Sequence, residues 1–305
     1  MKTEINSTSI LENALLFSLT RRSWGNRGVA DKSKIHTTNN PTSDEQQKKR
    51  LHLTKQLITE CKELDALYDA LAGIYQWCIG RSMYSCLRDG VYFVKKSMVE
   101  EFEAKIASAN TAIEDELMPA FLQVYNEAID RARDELGEMF NESDYPPIEE
   151  MRHKFGVQHS WLEFNVPKDL PKAVKAREEK KIKEQLQNAA TEIVFALRES
   201  FASYVEDLAR RMEVVPGTAG KRFTAPGAVE NMRDFITRFN CINIANDTEL
   251  QATVEKAKLI LDGKDADNLV HSEMSRQRIK AALADIRLQT GKLIAERPKR
   301  KFREE

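Results

Sequence analysis

From Ile182 to Met212 the chain carries Ile182, Leu186, Ile193, Leu197, Phe201, Val205, Leu208 and Met212 at steps of three, four and seven, with no proline or glycine among them. At 100° per residue these positions fall on one stripe of an α-helix. Asp169 and Pro171 suit its start, because a proline in the first turn gives up an N–H that has no helical partner. A helix this long cannot bury its stripe against itself, so other segments must cover it.

The same period recurs downstream. Thr224 and Pro226 open a helix with Val229, Met232, Phe235 and Phe239 inward. Asp247 caps the next, which carries Leu250, Val254, Ile260 and Leu261 and stops at Gly263. A last helix follows Ile279, Leu283, Ile286, Thr290 and Leu293. Together these predict a helical bundle over residues 168–296, followed by a basic tail, 297–305, with no packing signal.

Upstream, Ser43 with Gln46 and Ser97 with Glu100 have capping-box spacing. Behind the first lie Leu53, Leu57, Leu64, Leu67, Leu71 and Ile74; behind the second lie Val99, Phe102, Ile106, Ile113, Leu117, Phe121 and Val124. Gly80 and Gly90 bracket the connector. The reading is a long helical hairpin that, with a following short strand, occupies residues 43–167. Pro119 should kink or split its second arm, because it removes a donor and crowds the preceding turn.

Strand signals are few. Leu15, Phe17 and Leu19 alternate, which suits a short strand, with a helical turn as the alternative. Phe155, Val157, His159 and Trp161 alternate too, and Phe164 and Val166 resume after a slip of one residue, as in a bulged strand. The two strands would pair at the base of the hairpin. Residues 1–42 thus read as an N-terminal strand and a basic loop. The predicted class is mostly α: a long helical hairpin plus a C-terminal helical bundle, with a small two-stranded β element at most. No repeat of 20 to 50 residues is visible.

Chemistry-bearing patterns are thin. The glycines of Gly217-Thr-Ala-Gly-Lys-Arg222 are too close for a phosphate loop, and Arg222 stands where a hydroxyl should reach magnesium. His36, His52, His153, His159 and His271 are scattered, and His153 and His159 lack the spacing that places two ligands on one helix face. Adjacent glutamates at Glu149-Glu150 and Glu178-Glu179 point about 100° apart on a helix and form no acid–base pair. Cys61, Cys78, Cys86 and Cys241 show no CxxC pair and read as reduced structural thiols. The sequence therefore predicts no catalytic residue, no cofactor and no metal. It contains no secretory leader pattern and no run of about 20 apolar residues, which predicts a cytoplasmic protein.

Charge is more informative. Lys and Arg number 47 against 48 Asp and Glu, a formal net charge of −1, which excludes a surface built throughout for nucleic acid. The distribution is uneven: Glu100 to Glu142 holds twelve acidic and three basic residues, whereas Lys172 to Lys183 holds six basic and two acidic. Further basic groups gather at Arg21, Arg22, Arg27, Lys32 and Lys34 and at Lys299, Arg300 and Lys301. These, with the Trp24 indole stacking on a base, are the candidate contacts for nucleic acid or a partner. The other candidate surface is the hairpin, whose apolar stripe needs cover from another helix, as in a coiled coil, or from another chain, including self-association into an oligomer.

Several features occur together in a set order: Ser23-Trp24-Gly25 after an apolar segment, the helical hairpin, and the alternation from Phe155 to Val166 closed by Pro167. A distal block follows, with Phe223-Thr224, Val229-Glu-Asn-Met-Arg-Asp-Phe235, Phe239-Asn240, Asn246-Asp-Thr-Glu-Leu250 and Leu261-Asp-Gly263. This order resembles a family of helical proteins of phages and integrative elements, whose genes accompany a MoxR-type AAA+ ATPase and a protein with a von Willebrand A domain. The resemblance spans most of residues 10 to 263 and carries no catalytic group. It implies a non-enzymatic adaptor or assembly component for an AAA+ ATPase system of a mobile element, with the ATPase or the von Willebrand A domain protein as partner. The alternative is a nucleic-acid-binding accessory protein.

Overall fold

The computed structural model describes residues 8–31, 53–84, 90–163, 166–212, 225–262 and 273–295. In chain order the helices are α1 (Thr8–Asn13), α2 (Lys62–Gly80), α3 (Val99–Ala112), α4 (Met118–Leu136), α5 (Ile148–Met151), α6 (Lys172–Met212), α7 (Ala225–Ile242), α8 (Thr248–Leu261) and α9 (Glu273–Ala295). The strands are β1 (Ala14–Arg22), β2 (Arg27–Val29), β3 (Thr54–Gln56), β4 (Met83–Tyr84), β5 (Val91–Lys95) and β6 (Gly156–Leu162). The fold is mostly α with a small β component: one sheet in the order β4-β5-β1-β6, and the ribbon β2-β3.

The chain forms two compact units, each assembled from separated segments. One comprises Met1–Ser18, Ile79–Val99 and Trp161–Glu305; the other, Leu19–Cys78 and Glu100–Ser160.

In the first unit α6 packs against α7 and α9, and α8 packs against α7 and α9. The stripe that defines α6 in the sequence is its buried face: Leu186, Ile193, Leu197, Phe201, Val205, Leu208 and Met212 are all buried. Phe201 meets Phe235 of α7 with ring centroids 5.5 Å apart, and Phe235 meets Phe239 at 5.9 Å. Such tilted aromatic pairs contribute beyond their buried area. Antiparallel pairing of β1 with β5, in register from Ala14↔Lys95 to Ser18↔Val91, closes one side, and β5 packs on α7.

A buried ionic cluster locks the bundle. Arg198 of α6, 3% exposed, donates from Nε to Asp247 Oδ2 at 2.6 Å and from Nη2 to Asp247 Oδ1 at 3.0 Å. It also donates to Glu249 Oε2 and to the Leu293 carbonyl near the end of α9, each at 3.0 Å. Asp247 in turn accepts from Leu250 N, capping α8 as its sequence position predicts. Burial works against the charge of Arg198, but Asp247 and Glu249 outweigh it and hold the guanidinium above its usual range.

The second unit is built on aromatic packing. Trp24 lies edge-on to Tyr125 and tilted against Tyr145, and Phe121 and Tyr68 flank Phe155. The buried hydroxyls find backbone acceptors: Tyr68 donates to Trp24 O, Tyr125 to Pro146 O and Tyr145 to Leu57 O. Two asparagines each clamp one residue's backbone through both its N–H and its carbonyl. Asn110 donates to the Val157 carbonyl at 3.0 Å and accepts from its N–H at 2.9 Å; Asn26 does the same for Ile58 at 2.7 and 2.8 Å. Lys55 points inward from β3, pairs with Asp144 at 2.7 Å and donates to the Met139 carbonyl. Gly28 on β2 is needed there, since a Cβ would sit about 3 Å from both Lys55 and Asp144 side chains.

Two expectations need correction. Leu53 and Leu57 do not belong to the helix of Leu64 and Leu67. Thr54–Gln56 is a strand paired with β2, and Glu60, at φ 47°, turns the chain before α2 begins at Lys62. The connector between the two long helical arms is no short turn, because it contains β4 and β5, paired antiparallel. Pro119 does coincide with a break in the arm: the α-helix ends at Ala112, a π-helical turn spans Ile113–Leu117, and the proline stands in the first turn of α4. Strand pairing draws Ile79–Val99 into the unit that holds the C-terminal helices. The capping-box residues Ser43 and Gln46, the loop Gly217–Arg222 and Gly263 lie outside the described residues.

Candidate functional site

Helix α9 has two seams. Arg276, Ile279, Leu283, Ile286 and Thr290, at steps of three and four, are buried in the bundle. One residue further on, and so about 100° around the helix, Ala284, Leu288, Gly291 and Ala295 repeat at steps of four, three and four. This second seam is uncovered among the described residues: Leu288 is 60% exposed. With Ala209 of α6 it forms a groove of about 550 Å³ whose sides carry Lys280, Arg287 and Lys292. Arg287 reaches across to Glu206 of α6 at 2.7 Å, so the groove wall is tied to both helices.

The stripe follows coiled-coil spacing, but apart from Leu288 its residues are small. Small side chains make holes rather than knobs, which lets a partner helix approach closely and insert larger apolar groups. Sequence reading assigned α9 only its buried seam. The signal for the other was present as the Ala–Leu–Gly–Ala repeat, but alanine and glycine carry little weight in a hydrophobic count.

The second unit holds a separate cleft of about 620 Å³. Its rim includes Arg22, Glu114, Arg152 and His153, and its lining includes Met118, Leu122 and Phe155.

The predicted contact residues divide. Arg21 is exposed and stacks over the Tyr75 ring at 4.3 Å. Arg22 lies at the cleft, and Arg27 is exposed on β2. Trp24 does not serve as a stacking platform: its indole is 8% exposed and packs among Tyr125 and Tyr145, so no base can reach its face. Lys32, Lys34, Lys299, Arg300 and Lys301 lie outside the described residues.

Among the described residues no group of three or more His, Cys, Asp or Glu side chains is arranged to hold a metal ion, and no helix is long and apolar enough to cross a membrane. Cys61 and Cys78 are buried, and burial pushes the Cys61 thiol up. Comparison of the chain with protein-family models, with curated proteins and with solved structures found no match.

Proposed function

We propose that this chain is a non-enzymatic helical interaction protein, and that the groove between α6 and α9 receives an amphipathic helix of a protein partner. The observation that carries this reading is the second seam of α9, a small-residue stripe with cations on its flanks. Docking of a helix into an apolar groove is read out by side chains at steps of three and four, which is the spacing the seam offers. Lys292 on the side of the groove favours a helix with Asp or Glu beside its apolar face, Arg287 being already paired with Glu206. A second copy fits less well. Two α9 seams would bring like charges together, and the apolar positions of the acidic α4, Phe121, Tyr125, Ala128 and Ala132, are already buried.

The resemblance to the mobile-element family makes a MoxR-type AAA+ ATPase or a von Willebrand A domain protein the partner of choice, with this chain as adaptor or assembly component. The test is co-purification of the full chain with the products of its neighbouring genes, followed by light scattering. The reading expects retention of one such protein at low salt and its loss with Leu288→Glu. A strict monomer that retains no neighbour contradicts it, and a homo-oligomer disrupted by Leu288→Glu replaces the partner with a second copy.

Nucleic-acid binding is the second reading, supported by the exposure of Arg21, Arg22 and Arg27. It expects salt-sensitive DNA retention that is abolished when all three become glutamate. It is dropped if the intact protein shows no retention at low salt.

A further inference from the structure

The cleft of the second unit is independent of the α6–α9 groove and has a different chemistry. We propose that it binds a small organic anion, a carboxylate or phosphate carried on a flat apolar body.

The polar groups converge from separate elements. Arg22 ends β1, Glu114 sits in the π-helical turn, and Arg152 and His153 follow α5. Among the described residues none of the four makes a side-chain hydrogen bond or ion pair with another protein group. Two guanidiniums and one carboxylate leave the rim with a formal charge of +1. A guanidinium presents a planar fork of donors that matches carboxylate and phosphate oxygens, and two of them on one cleft set its preference for an anion.

The lining is apolar. Pro119 and Leu122, which keep accessible surface, give the cleft an apolar side against which a ring or hydrocarbon can pack, with Met118 and Phe155 of the core behind them. Its volume of about 620 Å³ is within the range of roughly 300–1,000 Å³ typical of small-ligand sites.

Gly156 leaves room for Arg22 beside the cleft. A Cβ at Gly156 would lie 3.0 Å from Arg22 Nη2, so another residue there would make the guanidinium shift slightly. The π-helical turn before Pro119 carries Glu114 at the rim, where its carboxylate can accept a hydrogen bond from a donor on the ligand.

The experiment follows the His153 imidazole signal of the full chain by NMR, assigned by its loss in His153→Gln, while phenyl phosphate is added. The proposal expects a saturable shift, with inorganic phosphate needing about tenfold more because it cannot use the apolar side. Arg22→Gln and Arg152→Gln should each weaken binding about tenfold without lowering the melting temperature, as expected for lost charged hydrogen bonds. Gln123→Glu, an exposed change that adds a carboxylate at the rim, should weaken it in the same direction even if an arginine variant misfolds. Absence of a saturable shift, equal affinity for the two phosphates, or a response unchanged in the Arg22→Gln/Arg152→Gln double variant would each overturn the proposal.

Discussion

Arg198 and Asp247 meet through two parallel hydrogen bonds of 2.6 and 3.0 Å, with their side chains 4% and 2% exposed. The pair joins the middle of α6 to the start of α8, and the same guanidinium reaches the end of α9. Removing one partner of a buried pair leaves the other charged and unsolvated, at about 3–5 kcal/mol. Asp247→Ala should cost that much in urea unfolding, with the lost helix cap adding about 1 kcal/mol. Combining it with Arg198→Met should recover part of the loss, since an apolar pair can replace a buried ionic one. A double variant no better than Asp247→Ala would show that the pair is not what holds the three helices.

Trp24→Ala should destabilise the second unit by about 3–5 kcal/mol, as expected for a large aromatic removed from a core. Trp24→Phe should cost less. Any DNA retention should be the same for Trp24→Phe as for the native chain, because the indole face is already occupied by Tyr125 and Tyr145. Specific loss of retention in a folded Trp24→Phe protein would restore the stacking role.

The asparagine clamps give a third expectation. Asn110→Ala leaves the N–H and carbonyl of Val157 without their partners, and Asn26→Ala does the same at Ile58. Each should cost about 1–3 kcal/mol. Asn110→Asp, which keeps one acceptor but loses the donor, should fall between native and alanine in thermal unfolding.

Alkaline stability should follow the buried phenols. Burial, reinforced by the charge of Asp144, raises Tyr145 from 10.0 to about 12, and burial also raises Tyr125 and Tyr68. A phenol whose folded pKa is raised contributes stability that is complete below pH 10 and is lost as pH climbs through 12. Tyrosinate absorbance for these residues should therefore appear together with unfolding in that window. In Tyr145→Phe the pH dependence should be shallower; full ionisation with the fold intact near pH 10 would contradict the burial.

What was readable in the sequence follows the length of each periodic run. The stripe of α6 and the inward faces of α7, α8 and α9 were set by the spacing of large apolar residues, and Asp247 announced its own helix. The region from Leu53 to Glu60 misled, because Leu53 and Leu57 happen to fit both a helix and a strand with a turn after it. What makes that segment a strand is its ladder with Arg27–Val29, and the inward Lys55 pairs with Asp144, far along the chain. The sequence points to Arg21, Arg22 and Arg27 as a charged cluster, and the fold separates them: one stacks on Tyr75, one faces a cleft and one sits on a ribbon. The groove seam was hidden because its residues, apart from Leu288, are small.

The account rests on α9 offering its second seam to another polypeptide. Hydrogen–deuterium exchange of the full chain, alone and with the co-purified partner, tests this directly. Protection should rise along Lys280 to Ala295 and at Ala209, and Leu288→Glu should abolish both the protection and the complex. A stable complex in which α9 exchanges as fast as in the free chain would contradict it.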